Sequence, residues 1–425
     1  MNVHDSERMA GLLLAAGFTR AEEPGAADLI IINTCSVRAK PEHKALSEAG
    51  RYKHLRHQKG TRVILAGCVA QQHGAELIKR SSFIDGVLGP DELDRLPELA
   101  ASLLEGRGPM VATEAHRIDD PRFVTLGPTP KAIARYVTVM KGCDNFCAYC
   151  IVPFVRGREV CRPVVDILEE VAELGRRGVR EVNLLGQNVN SYRDPDSGAD
   201  FANLLAKLDA QGVMERLRFT TSHPKDLSDA LIQVMAEAPS VCEHLHLALQ
   251  AGSNRVLEAM RRGYTREHFL ERVARLRRAV PGISLTTDLI VGFPGETEED
   301  FAQTLKAVTE AAFDGAFSFK YSPRPGTWAA KHLEDDVLDP VKQERLVRLQ
   351  VLLSELEKAS LNAYVGRKVE VMVEGPSQRD VRQLTGRSRC NRVINFESTS
   401  DLQAGELHHV EIVEARGHTL FAKSS

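Results

Sequence analysis

Residues 142–150 read GCDNFCAYC, with Cys143, Cys147 and Cys150 spaced C-x3-C-x2-C directly after the apolar run ARYVTVM at 134–140. Soft thiolates crowded onto one short loop suit zinc or an iron–sulfur cluster. A structural zinc site needs four closed ligands, commonly drawn from two paired motifs. No histidine lies between His116 and His223, and Cys161 is the nearby candidate for a fourth ligand. Three ligands on one loop instead suit a four-iron cluster with one iron left open, and zinc with Cys161 stays as the alternative.

Outward from this loop the chain repeats a strand-then-helix unit. Strand-like runs stand at 134–140, 181–186, 217–222, 244–249, 285–293 and 316–322, separated by amphipathic stretches such as VDILEEVAELGRRG and FAQTLKAVTEAAF. Six parallel β/α units predict an incomplete barrel over 131–360, although a flat sheet has the same pattern. Residues 1–105 predict a smaller α/β domain with a parallel sheet. It opens on a helix with Met9, Leu12, Leu13, Ala16 and Phe18 at helical spacing and Asp5 and Ser6 as start caps, followed by DLIII and RVILAGC strands. A Gly/Pro-punctuated stretch at 106–130 reads as a linker. After a long charged helix, 361–425 alternates in short strands, which predicts a small β-barrel. The fold class is α/β with this appended β module.

The bulk numbers narrow the function classes. The 425 residues leave room for two or three domains, each with its own core. A net charge of -3 excludes a uniformly basic nucleic-acid binder and leaves local patches open. No run approaches the roughly 18 apolar residues of a membrane span, and the N-terminus lacks a signal-peptide layout, so a cytoplasmic, reducing setting is expected. Eight cysteines in such a chain point to ligands or catalysts rather than a disulfide framework.

Two further cysteines, Cys35 and Cys68, each end a strand-like run. If those strands are parallel, both thiols lie on one carboxyl rim, where α/β sheets place their sites. The alternative is a pair of small buried apolar residues. The β module carries Arg379, Arg382, Arg387, Arg389 and Arg392 against the single acid Asp380, with Phe396 close by. Guanidinium groups pair with phosphates and stack on unpaired bases, so this is a candidate RNA face, with a solvated arginine face as the alternative. A second basic stretch, Arg38–Arg62, has eight Lys/Arg against Glu42 and Glu48, and reads as a phosphate contact or a plain exposed helix.

A C-x3-C-x2-C motif at the mouth of the first strand of a six-unit barrel resembles the radical S-adenosylmethionine (SAM) superfamily. There the open iron binds SAM through its amino and carboxylate groups, and the cluster's electron breaks the sulfonium bond to give a 5′-deoxyadenosyl radical. GCDNFCAYCIVPFVRGRE (142–159), LLGQNVNSY (184–192), TSHP (221–224), DLIVGFPGETEEDF (288–301) and YSPRPGTWAA (321–330) are similar to the methylthiotransferases. That family joins an N-terminal cluster domain, a radical barrel and an RNA-binding TRAM barrel. The segments resemble most the branch that thiomethylates carbon 2 of an isopentenylated adenosine next to the anticodon (position 37) of tRNA. Branches acting on threonylcarbamoyl-adenosine or on a ribosomal-protein aspartate stay as alternatives. So do a chain that cleaves SAM without transferring sulfur and a non-catalytic RNA-binding metalloprotein.

The resemblance implies two [4Fe-4S] clusters. Cys143, Cys147 and Cys150 would hold the SAM-binding one, and Cys35 and Cys68 would be two of three ligands to an auxiliary cluster that carries the sulfur. SAM contacts would come from Gly186, Gln187, Ser222, Gln250, Asp288 and Gly292 at strand ends. tRNA, a flavodoxin-like or ferredoxin-like electron donor and a sulfur or cluster supplier are the implied partners of a monomer with no membrane association. HLALQAGS (246–253) departs from the family's Pro-Val-Gln-Ser run, and Cys161 stands where a serine is usual; Cys161, Cys242 and Cys390 receive no role. In family members a strand and a Gly-Cys-Gln tripeptide, with the third auxiliary ligand, precede the segment that matches Met1. The expectation is therefore a start placed at an internal methionine, with genuine loss as the alternative and poor auxiliary-cluster binding by the chain as given.

Overall fold

The computed structural model describes residues 1–34, 39–114, 132–378, 380–397 and 401–424. Cys35 and Arg379 lie outside these residues, as does most of the expected linker. The chain divides into two units: residues 1–130, 140–160 and 324–327 form the first, and the remainder forms the second.

In the first unit, β1 (Leu29–Thr34), β2 (Arg62–Gly67), β3 (Gly86–Leu88) and β4 (Met110–Ala112) make a parallel sheet in sequential order. β4 corrects the linker boundary, because Met110–Ala112 pairs with β3 and belongs to the domain. Strands of three residues are too short to show a period, which is why β3 and β4 escape a sequence reading. One face of the sheet packs Ile64, Ala66 and Leu88 against Met9 of the opening helix Asn2–Ala15 and against Leu96 and Leu99 of the helix Leu96–Leu104. The other face packs Val63, Leu65 and Val87 against Ala49, Leu77 and Ile84.

The opening helix does not use Asp5 and Ser6 as caps. It begins at Asn2, so Asp5 lies inside the first turn, buried, and Ser6 Oγ donates back to Asn2 O at 3.0 Å. The Asn33 side-chain amide ties β1 to this turn, donating to Asn2 O at 2.8 Å and to Ser6 Oγ at 2.9 Å.

The second unit holds β5 (Ala134–Thr138), β8 (Glu181–Leu185), β9 (Arg216–Thr220), β10 (His244–His246), β11 (Ser284–Val291) and β12 (Gly315–Lys320). The cysteine loop belongs to the first unit and is flanked in sequence by the two-residue strands β6 (Met140–Lys141) and β7 (Val160–Cys161). β5-β8-β9 and β10-β11-β12 are parallel ladders. Bonds from Cys242 N to Leu217 O at 2.9 Å and from Ser222 N to His246 O at 3.2 Å join them into one six-stranded wall. Among the described residues β5 and β12 do not pair, so the barrel is open, as the six-fold repeat predicts.

The two faces of this wall differ sharply. Val182, Leu184, Leu217, Leu245, Leu285 and Leu289 are fully buried on the helix-covered side. Along β11 the alternate residues Thr286, Asp288 and Ile290 are only half-buried and face the lumen. A complete (β/α)8 barrel fills its interior with branched apolar side chains; here the lumen is a polar chamber.

At the C-terminus β13 (Lys368–Pro376), β14 (Leu384–Ser388), β15 (Val393–Glu397), β16 (Leu407–Arg416) and β17 (Thr419–Ser424) close into a small barrel around Val371, Val373, Ile394, Phe396, Val410 and Leu420. β14 falls inside the arginine-rich stretch, whose charges hide its alternation. Phe396 is fully buried in this core, which corrects its reading as a stacking platform.

Candidate active site

The cysteine loop is shaped by backbone that few residues tolerate. Gly142 has φ 75°, and a Cβ there would stand 1.9 Å from Arg158 O, so the strand passes only as glycine. Phe146 adopts φ 45°, turning the chain between Cys143 and Cys147. Cys143 N donates to Gly157 O at 3.3 Å and Cys150 N to Cys147 O at 3.0 Å. Asp144 pins the loop from outside, pairing with Arg158 at 2.8 Å and accepting from Glu159 N at 3.1 Å. Cys143 and Cys147 are buried and Cys150 is half-buried. Burial pushes the Cys143 thiol up, against hydrogen bonds from Asn145, and the neighbouring Cys147 adds to the rise. Thiolates gathered in such a place need a metal's positive charge to offset them. Among the described residues no three His, Cys, Asp or Glu side chains converge as they would on a single metal ion. A four-iron cluster has no such requirement, because each thiolate binds its own iron.

In the same unit Cys68 follows Gly67, whose φ of 91° and closeness to Thr34 O leave no room for a Cβ. The thiol is buried and meets a residue the sequence reading missed. Arg156 Nε donates to Cys68 Sγ at 3.3 Å, and Arg156 Nη2 donates to Asp5 Oδ2 at 2.6 Å. Burial disfavours the Arg156 cation, and Asp5 with Cys68 more than restores it. The signal lay in VRGRE (155–159), shortly after Cys150, but nothing in the sequence says which arginine turns inward.

The second unit carries the residues nominated for SAM. Gly186 and Gln187 follow β8, Ser222 follows β9, Gln250 follows β10 and Gly292 follows β11. Asp288 is the exception, since it sits within β11 and faces the lumen. Both amide atoms of Gln187 and the hydroxyl of Ser222 are buried without hydrogen-bond partners, a costly state that a polar cofactor would relieve. Gln250, at φ 70°, donates from its backbone to Asp288 O at 2.8 Å and accepts from Ile290 N at 2.9 Å. Gly292 N already donates to Glu296 Oε2 at 2.7 Å, so its carbonyl is the group left to contact a ligand. Asp288 Oδ2 lies 3.3 Å from His246 Nε2.

The arginines of the β module divide. Arg389 pairs with Glu243 at 2.8 Å, and Arg392 pairs with Asp314 at 2.9 Å and donates to Ser360 Oγ at 2.8 Å. Arg216 and Arg218 of β9 reach back, Arg216 to Glu370 at 2.9 Å and Arg218 to the carbonyls of Ser388 and Arg389 at 2.8 Å each. The stretch thus clasps the amino-terminal end of the barrel strands. Arg387 pairs with Glu374 at the surface, and the side chain of Arg382 is 83% exposed beside Asp380.

Residues 137–308 match the radical SAM superfamily, 1–89 the uncharacterized protein family UPF0004 and 362–424 the TRAM domain. The tRNA-2-methylthio-N(6)-dimethylallyladenosine synthase of Bdellovibrio bacteriovorus is 46% identical over 98% of this chain and 91% of its own length. The chain belongs to the tRNA-2-methylthio-N(6)-dimethylallyladenosine synthase family. The Myxococcus xanthus member of that family is likewise 46% identical, over the whole of this chain and 91% of its own. In fold, the radical SAM methyltransferase TsrM of Kitasatospora setae superposes with a TM-score of 0.55 at 18% identity, covering 76% of this chain and 68% of that one. The order UPF0004, radical SAM, TRAM is therefore the family's frame for the cysteine loop, the open barrel and the clasped β module. Among the described residues no helix is long and apolar enough to cross a membrane.

Proposed function

We propose that this protein adds a methylthio group to carbon 2 of an isopentenylated adenosine at position 37 of tRNA. The observation that carries the reading is the near full-length identity to synthases of that name, together with a three-cysteine loop at the start of an open barrel. Cys143, Cys147 and Cys150 hold a [4Fe-4S] cluster that binds SAM, and Cys35 and Cys68 contribute to an auxiliary one. When bound, these groups supply the one-electron cleavage of SAM and the sulfur that is transferred.

The chain's own residues hold and orient. Gln187 and Ser222 offer SAM the hydrogen-bonding atoms that the fold leaves unmet. Gln250, Asp288 and the carbonyl of Gly292 complete the cofactor's polar contacts. Arg156 keeps a positive charge against Cys68 while Asp5 fixes its orientation. Arg382 and Arg387 are the TRAM arginines left to meet RNA phosphates, with Arg379 beside them in sequence. The protein acts as a cytosolic monomer, taking electrons from a flavodoxin-like or ferredoxin-like donor and sulfur from a separate supplier.

Mass spectrometry of tRNA nucleosides from a deletion strain tests the reading. The 2-methylthio form of isopentenyladenosine disappears and the unthiolated nucleoside accumulates; persistence of the thiomethylated form overturns the assignment.

A further inference from the structure

Trp328, the one tryptophan in the chain, starts the short helix Trp328–His332 that follows β12. Two planar groups stack on its indole. The guanidinium carbon of Arg261 lies 3.9 Å from the ring centroid, and the His332 ring stacks at 4.8 Å between centroids with 16° between planes. His332 is fixed in turn, its Nδ1 donating to Trp328 O at 2.9 Å. Arg261 comes from the turn that ends the helix Asn254–Ala259. Arg261 N donates to Glu258 O at 2.8 Å and Arg262 N to Leu257 O at 3.0 Å, the pattern that closes a helix on a left-handed residue. Arg261 takes that position at φ 57°, where glycine or asparagine fits with less strain. Just beyond, Arg262 Nη2 donates to Ala248 O at 2.8 Å and the Tyr264 hydroxyl to Leu249 O at 2.6 Å. The turn therefore stands over the carboxyl end of β10.

This arrangement fixes a cation and then leaves it unneutralised. Arg261 is exposed, and among the described residues no carboxylate pairs with it, whereas Arg255 meets Asp300 and Arg266 meets Glu267. Lying flat on an indole costs an arginine rotamer freedom, and the backbone here is strained as well. The indole covers one face of the guanidinium and leaves the other face and the N–H edge to solvent. A planar cation with unmet N–H donors is suited to grip phosphate. Gln250 and Gly292 follow β10 and β11 at this same carboxyl end, where barrels place their sites. We propose that Arg261 binds a phosphate of the tRNA anticodon loop at the mouth of the barrel, with Trp328 and His332 as positioning residues that hold its guanidinium. The proposal rests on the reading of a tRNA substrate and adds a contact on the barrel itself to those of the TRAM arginines. Every nucleotide carries a phosphate, so this contact sets where the loop lies and does not read its sequence.

The test measures binding of a synthetic anticodon stem-loop to full-length protein reconstituted anaerobically, by anisotropy of labelled RNA over a range of salt. Arg261→Gln keeps the side-chain length and removes the charge. Its affinity falls by about tenfold at low salt, and the slope of log affinity against log salt drops by about one. Arg261→Lys keeps the slope. Trp328→Leu also keeps it but binds about threefold more weakly, because the charge remains and its placement does not. In wild-type protein the hairpin changes the emission of the single tryptophan, and the change shrinks in Arg261→Gln at saturating RNA. An Arg261→Gln protein with wild-type affinity and slope overturns the assignment, as does one that loses affinity at an unchanged slope. Tryptophan emission indifferent to the hairpin overturns it too. Wild-type protein that does not bind the stem-loop overturns the tRNA reading itself.

Discussion

His223, in TSHP, is a buried side chain at the end of β9 whose protonation the fold dictates. Its Nδ1 accepts from Lys225 N at 3.3 Å, which leaves the ring proton on Nε2, and that atom is buried without a partner. Burial, reinforced by Arg262 and Lys225, pushes the imidazole down to about 2 from its ordinary 6.5. The unfolded chain therefore takes up a proton below 6.5 that the folded chain refuses. This contribution to stability is intact above pH 6.5 and drains away as the pH falls toward 2. Between pH 7 and pH 5 it amounts to about 2 kcal/mol, which denaturant unfolding at the two pH values measures. His223→Asn is expected to lose that share of the pH dependence. An unchanged difference between pH 7 and pH 5 in the variant would show that another group is responsible.

Among the elements, the cysteine loop stood out as a candidate ligand set because three thiols within eight residues leave little other use. Its shape did not, since the positive φ of Phe146 and the passage of Gly142 against Arg158 O are set by how the chain folds back after the loop. Cys147→Ala is expected to remove about four irons per chain and to abolish the formation of 5′-deoxyadenosine from SAM. Iron and sulfide assays after anaerobic reconstitution read the first loss, and chromatography of the SAM products reads the second. Full iron content in the variant would contradict the ligand assignment. Asp5 shows the limit of local reasoning at this scale. An acid near a helix start is a cap by propensity, yet here it is drawn inward as the partner of Arg156, a residue 151 positions away.

For the whole molecule, the TRAM arginines separate into two populations with different measurable roles. Arg392 is inward, tied to Asp314 and Ser360, so Arg392→Ala strands a carboxylate and costs about 3 kcal/mol of stability. It leaves the salt dependence of tRNA binding unchanged. Arg382 is outward, so Arg382→Ala leaves thermal unfolding where it was and lowers the slope of log affinity against log salt by about one phosphate contact. Thermal melts and a salt titration of tRNA binding distinguish the two, and a reversal of the pattern would exchange their roles. Five arginines in a row of polar residues looked uniform because composition records charge and not the partner that takes it up. The sequence by itself determined the domain order, the six barrel strands and the spacing of the three loop cysteines, because hydrophobic period and residue spacing are local quantities set within a few residues. Only the tertiary structure decided that Arg156 meets Cys68, that Arg389 and Arg392 serve the barrel, and that Asp5 is drawn inward. Each of these is a pairing across the fold, fixed by strand register and burial rather than by neighbours in the chain.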